Sequence, residues 1–449
     1  MQLPHKSRSA QYHCAADSEK HRTMDYCSSG LQISVVTDTS GFDALAEEWA
    51  ELEASSPDSS IFMSWDCQRL WWKHYGGQRR LHILVARDST LLVGLLPLYL
   101  DRHAFLGVFP GVRKLVQLGL GGDTSPDDMD ALLRPGYESR AARALVDFLG
   151  HTLLQSRLRG RRRQVSWDVL ELSDLPAGSH FVAALLDRFP HAGLRIECHA
   201  ASPIISGKLP GDHATYLQTL GRHRRRILAQ KRRRFESQKR ARFSIVDSPQ
   251  GLESGFEDLA RLHRLRWSGR TEHPAFSSPE FCRFHREWMD VLQAQGRLML
   301  PALELDGRRI AMLYCMVYKN RLSFFQSGFD PACSHLSPGD VLISHAVELA
   351  IARGCEVFDM LKGDHDYKRR FFQDERRNLE VRAFRPGVVD IGYRLFDRLR
   401  HMRRTVRARL KRHGPLAPHA QAPEIGDSAK GMSIDNGTED SDSGHHPPP

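Results

Sequence analysis

No stretch of the sequence comes near the ~20 consecutive apolar residues that a membrane-crossing helix needs. The longest apolar run, Leu91 to Leu100, is too short and carries Pro97, so it reads as a buried strand. The opening residues, MQLPHKSRSAQYHC, have no apolar core behind their basic residues, which argues against a secretory leader. Cysteine is sparse: eight residues in 449, none in a C-x-x-C pair. That excludes a disulfide scaffold and a zinc site, and it fits a reducing, cytoplasmic setting. Cys315 and Cys355 fall inside apolar runs, where cysteine acts as a small buried hydrophobe. No metal is expected.

What the chain does have is length and positive charge. At 449 residues, 41% hydrophobic, it can fill two domain cores with tails to spare. A net charge of +10, from 64 basic and 54 acidic residues, suits anionic partners: a phosphate-bearing cofactor, nucleic acid or an acidic membrane surface. Residues 1–30 and 415–449 are polar and without periodicity and read as disordered tails. A basic helix is expected over 389–414.

Between the tails, two stretches resemble each other in outline. The first, 31–201, predicts a strand (Ile33–Val36), helices (Phe42–Glu53, Ser64–Tyr75), a hairpin (LHILVA, then LLVGLLPLYL) and a Gly-rich loop (Leu118–Gly122). A helix (Ser139–Gln155), a strand (Val165–Leu172), a helix (His180–Phe189) and a strand (Leu194–His199) follow. The second, 202–388, opens on a long basic helix (Ala214–Gln238). Next come a short strand (Phe243–Val246) and two amphipathic helices (Leu252–Arg266, Pro279–Gln295). Three strands with short turns follow, Leu298–Leu305, Arg309–Tyr318 and Arg321–Ser327. A loop, a helix (Asp340–Arg353) and strands Cys355–Leu361 and Leu379–Phe384 complete it. We read two copies of one α/β unit.

The chemistry concentrates between Gly328 and Phe372. Ser337-Pro338-Gly339-Asp340 marks a helix start: Ser337 can cap, Pro338 suits the first turn, and Gly339 lets a ligand approach the backbone. A helix N-terminus at the carboxyl edge of a strand offers unpaired N–H groups and a partial positive charge to phosphate. The same four residues also make an ordinary cap. Past the buried strand CEVFDML come Lys362-Gly363-Asp364-His365-Asp366-Tyr367-Lys368-Arg369-Arg370. Tyr367 can protonate a leaving thiolate; Asp359, Asp364 or His365 can take a proton from an amine; Lys368, Arg369 and Arg370 can hold phosphates. A solvated charged turn is the alternative.

From Arg222 to Arg242 there are eleven Lys or Arg and one acid, Glu236. This run fits a tRNA surface, an anionic lipid surface, a clamp on cofactor phosphates, or a solvated face. With only Phe235 interleaved, base stacking has little support.

The string S-P-G, helix, A-x-x-x-G-x-x-x-F-D-x-L-x-G-D, then Y-K-R-R, resembles the CelD-like (cellulose-biosynthesis-associated) acetyltransferases of the GNAT superfamily. RHRRRILAQKRRRF, LARLHRLRW, FCRFHREW, DGRRIAMLY and FQSGFDP fall in that family's order, and IFMSWDCQRLWWKHYG and LLVGLLPLYL extend the likeness over roughly residues 33–385. The resemblance implies an α/β (α+β) fold of tandem GNAT-like domains, each a mixed sheet flanked by helices, related to Fem-type aminoacyl transferases. It implies acetyl-CoA or another acyl-CoA in a wedge between splayed strands Leu322–Ser327 and Cys355–Leu361. The pyrophosphate would rest on Ser337, Gly339 and Asp340, with Gly363, Lys368 and Arg369 alongside. Tyr367 and Lys368 match the family's Tyr-Lys; His365 and Asp366 stand where the family carries an acid and a proline. A strict Q/R-x-x-G-x-G/A phosphate loop is absent. The first half, with LGLGGDTSPDD, reads as a degenerate copy shaping the acceptor cleft, Asp123 and Trp267 lying on the acceptor side. The implied activity is N-acyl transfer to an amine, such as an amino sugar or polysaccharide precursor. An aminoacyl-tRNA-dependent transferase and a non-enzymatic scaffold are the alternatives.

Overall fold

The computed structural model describes residues 26–105, 109–158, 167–246, 248–268 and 275–412. Among the described residues fourteen strands form one sheet. The first half supplies β1 (Tyr26–Ser28), β2 (Leu31–Val36), β3 (Arg80–Asp88), β4 (Leu91–Phe105), β5 (Phe109–Gln117), β6 (Leu132–Leu133), β7 (Val169–Leu175) and β8 (Arg195–Lys208). The second supplies β9 (Arg242–Val246), β10 (Leu298–Leu305), β11 (Arg308–Tyr318), β12 (Arg321–Phe329), β13 (Val357–Lys362) and β14 (Asp374–Phe384).

Each half builds an antiparallel meander and then one parallel pair, β5 with β7 and β12 with β13. A helix makes each crossover, as a parallel connection requires: Glu138–Leu158 in the first half and Pro338–Ala352 in the second. The last strand of each half then crosses over. β14 pairs with β7 of the first half, β8 pairs with β13 of the second, and β8 and β14 pair with each other. The order through the middle is therefore β5-β7-β14-β8-β13-β12.

Three large cores follow from this layering, with a small fourth cluster of Val112, Val169, Phe384 and Tyr393. The helices Trp65–Tyr75, Pro249–Trp267 and Pro279–Ala294 cover one face with an aromatic cluster that includes Trp71, Phe284 and Trp288. The two crossover helices bury their apolar stripes on the remaining faces, Leu145 and Leu149 in one, Leu342 and Val347 in the other.

Several expectations are corrected. Residues 26–28, assigned to the N-terminal tail, form β1; Ser29 and Gly30 take positive φ and close a tight hairpin onto β2. The long basic helix is two helices, His213–Thr219 and Arg222–Glu236, because Leu220 is extended and Gly221 starts the second. The strand expected over Leu194–His199 runs on to Lys208, through the interval expected to part the halves. The helix expected over Phe42–Glu53 breaks at Leu45 into Thr39–Ala44 and Ala46–Ser55. The C-terminal helix spans Val388–Arg412. The other tail residues assigned as disordered lie outside the described residues, except Ser29 and Gly30.

Candidate active site

β12 and β13 pair over only three positions, Arg321↔Val357, Leu322↔Phe358 and Ser323↔Asp359. Both strands continue, β12 to Phe329 and β13 to Lys362, without pairing to each other. Each is bulged where they part. Phe325 lies outside the β11–β12 ladder, and the β13–β8 register breaks between Asp359 and Lys362, with Leu361 at φ 56°. Bulges re-aim strands and turn peptide groups out of the ladder. The result is a wedge with its apex at Ser323 and Asp359. The first half has the same parallel pair, but its gap is closed. The side chain of Gln117, 1% exposed, accepts from Ser173 N–H at 3.0 Å and donates to Met129 O at 3.1 Å.

The crossover helix starts beside the wedge, after β12. Ser337 occupies the cap position with φ 52°, ψ 52°, and its hydroxyl makes no cap hydrogen bond, contrary to expectation. An added Cβ at Gly339 would meet nothing within 4 Å, so space is open at the second helical residue. Asp340, expected among the cofactor contacts, instead pairs with Lys231 and with Arg224 (3.3 Å) of the basic helix. Burial acts to raise its pKa, but these two cations hold the carboxyl below its ordinary value. Arg234 donates to His335 O at 3.2 Å. The basic helix is thereby fastened beside the crossover helix N-terminus. The first-half crossover helix differs: Glu138 in its first turn accepts Gly136 N–H at 2.8 Å and fills that end with its own carboxylate.

Asp359 is fully buried and locked. Oδ2 accepts from Arg321 at 2.7 Å and Arg376 at 2.9 Å, and Oδ1 accepts Leu361 N–H at 2.8 Å. A carboxylate so bound, with both oxygens already engaged, holds the wedge apex together. Asp359→Asn is expected to lower unfolding free energy in urea by about 3 kcal/mol, the low end for breaking a buried pair because both arginines reach solvent. The turnover of the folded fraction should change less than the roughly tenfold or more expected if a catalytic base were removed.

Beyond β13, Lys362 ties the wedge to the first half. Its N–H donates to Asp127 at 2.8 Å, and its Nζ donates to Asp174 at 2.7 Å and Pro126 O at 3.1 Å. Gly363 has φ 119°, a conformation suited to glycine, and its N–H goes to Pro203 O at 2.9 Å. Lys368 is buried rather than turned out toward a phosphate. Its Nζ donates to Leu361 O (2.9 Å) and Lys362 O (2.7 Å), pinning the end of β13, and burial pushes its pKa down to about 8. Arg369 pairs with Asp364 and Glu375, both at 2.7 Å.

Tyr367 is half-buried. Arg266, which donates to Ser327 Oγ of β12 at 2.6 Å, also acts electrostatically on the Tyr367 phenol. Burial raises the phenol pKa and Arg266 offsets part of that rise. His365 is exposed and stacks on Tyr367 at 5.8 Å. Trp267 lies next to Arg266, with its ring 6.0 Å from His263. Asp123 accepts from Tyr75 Oη at 2.6 Å.

A cleft of about 450 Å³ opens on the wedge apex. Ser323, Leu361, Arg321 and Arg376 line it from the second half, and Asp128, Asp130, Ser179 and His180 from the first. Neither Asp123 nor Trp267 borders it. Asp128 is held by Arg376 (2.7 Å) and Asn378 (2.9 Å). Asp130 uses Oδ1 to accept from Ser179 Oγ and Ala131 N–H, both at 2.8 Å. Burial pushes its pKa up to about 7 against those two hydrogen bonds. Asp130 lies in TSPDDMD, whose carboxylates look like a solvated turn in sequence. Only the docking of that loop onto β13 gives it a cleft to face.

The second half thus combines a splayed parallel pair with an open crossover-helix N-terminus. Residues 222–369 match the family described as "Acetyltransferase (GNAT) domain", about a third of the chain. The fold is similar to the crystal structure of FemX, with TM-score 0.52, 10% identity, and 75% of this chain and 95% of that one covered. A tandem GNAT protein from the clavulanic acid biosynthesis pathway aligns at TM-score 0.43 and 12% identity, over 79% of this chain and 99% of that one. No curated protein matches the sequence.

Proposed function

We propose that the chain is an N-acyltransferase that carries an acyl group, acetyl in the simplest case, from acyl-CoA to an amine held in the cleft between the halves. The observation that carries this reading is the open N-terminus of the crossover helix at the wedge, with the basic helix fastened alongside. The N–H groups there, led by Gly339, would take the pyrophosphate. The basic helix supplies the surrounding positive potential, and its Lys231 and Arg224 neutralise the one acid, Asp340, that would repel a phosphate.

The acyl thioester would then reach toward Ser323 and Asp359. The amine in the cleft gives up a proton to Asp130 and attacks the thioester carbonyl. A C–N bond forms, the C–S bond breaks, and the leaving thiolate takes its proton from Tyr367. The peptide turned out of the ladder at Phe325 is the type of donor that meets a developing oxyanion. Arg266 positions Tyr367, and Lys368 and Asp359 hold the strand end on which this depends.

Isothermal titration with acetyl-CoA and longer acyl-CoAs tests the donor. Binding is expected, and Gly339→Glu should weaken it at least ~10-fold while leaving the melting temperature unchanged, since the new carboxylate enters open space and suits a first helical turn. Failure to bind any acyl-CoA, with tight binding of charged tRNA, would replace this reading by aminoacyl transfer.

A further inference from the structure

The helix Val388–Arg412 carries five of the seven exposed large apolar side chains found among the described residues. Val388, Ile391, Leu395, Leu399 and Met402 are each 53–72% exposed. At ~100° per residue these five fall within a stripe ~80° wide. In sequence the same spacing continues at Val406 and Leu410. The start of the helix is secured on other sides: Asp390 pairs with Arg195, and Tyr393 packs on Phe384. Of the described residues, Arg394–Arg412 form a unit separate from the rest of the chain.

Beyond Asp397 the charge of the helix is one-signed. Between Arg398 and Arg412 stand eight Lys or Arg and no acid. The helix is not apolar enough to cross a membrane. A long helix with a narrow aliphatic stripe and a strongly cationic remainder has the composition of one that lies in the plane of a bilayer surface. The aliphatic stripe also separates this surface from the basic helix Arg222–Glu236, whose exposed residues Arg222, Arg226 and Arg233 have no comparable apolar companions. RNA would meet the arginines but leave the stripe in water.

We propose that Val388–Arg412 is an interfacial helix that docks the protein on an anionic lipid bilayer, with its aliphatic stripe at the acyl-chain boundary and its arginines on the headgroup phosphates. This is independent of the acyl-transfer reading. The polybasic segment sets the lipid preference, since attraction to an anionic surface is screened within a Debye length and so is salt-sensitive.

Co-sedimentation of the full chain with vesicles tests it. Phosphatidylcholine alone is compared with a roughly 7:3 mixture of phosphatidylcholine and phosphatidylglycerol. Binding to the mixed vesicles should exceed binding to the neutral ones at least ~10-fold and fall away near 1 M salt, where the Debye length is about 3 Å. The triple substitution Leu395→Ser, Leu399→Ser, Met402→Ser keeps every charge and removes exposed side chains only. It should lower vesicle binding at least ~10-fold, with far-UV circular dichroism in vesicle-free buffer and acyl-CoA titration unchanged. Equal binding by the triple variant, or equal binding to both vesicle types, overturns the proposal. So does an absence of vesicle binding accompanied by RNA retention, or by self-association that the triple variant abolishes.

Discussion

Tyr367→Phe is expected to lower kcat by roughly 10²–10⁴-fold, the range for losing a positioned proton donor, with acyl-CoA affinity within about twofold of the parent. The phenol is half-buried, its pKa is raised by that burial, and Arg266, bonded to Ser327 of the wedge, partly offsets the rise. A raised pKa keeps the proton on oxygen throughout the neutral range, as a donor to a departing thiolate requires. The phenylalanine fills the same volume, so stability should change by less than about 1 kcal/mol, and the loss belongs to the hydroxyl alone. Steady-state kinetics and titration on the same preparation separate the two effects. An unchanged kcat would remove Tyr367 from the mechanism.

Asp130→Asn tests the other end of the proton path, and its two readouts move in opposite directions. The carboxyl has its pKa pushed up to about 7 and lines the cleft at the wedge apex. As a base it acts when ionised, so kcat/KM should rise with pH through about 7. The asparagine variant should lose that inflection and roughly 10²-fold or more in kcat/KM. Stability behaves differently. An unfolded aspartate ionises near pH 4, while the folded one keeps its proton to about 7, so folding stability contributed by this group falls as pH rises between those values. Asparagine escapes that cost and can still accept from Ser179 Oγ. The variant should therefore unfold at higher urea than the parent at pH 8 and show no such gain at pH 4. A stability gain with unchanged activity would make Asp130 a structural residue only.

The second-half frame was legible because its signals are local. The strand, crossover helix and strand of 321–362 are written in apolar periodicity, Ser337-Pro338-Gly339 and the closing Gly354, and the structure departs from that reading by a few residues at most. The roles of single side chains were less legible. Lys368 sits among surface-like charges in the sequence, yet it is buried on backbone carbonyls. Asp340 reads as a phosphate contact, yet it belongs to Lys231 and Arg224. Both outcomes depend on which element packs alongside, and no spacing within one segment encodes that. Arg321 and Arg376 were missed for the same reason: each looks like an exposed strand cation until the long-range pairing brings both to Asp359. The family resemblance pointed to the stretch around Tyr367; it could not point to Asp130, which lines the cleft from the other half.

The exchange of β8 and β14 has a bearing on what the closed first half is for. Gln117 plugs its own gap, which leaves that half without an open wedge. Yet β7 forms one bank of a channel that β14 fills, and β13 forms the opposite bank that β8 fills. Separated at the midpoint, each fragment would show a raw sheet margin and trail a strand made for its sibling, a shape prone to sticking. The plugged half is thus a permanent template: it has no open wedge of its own, yet the second half is woven through it.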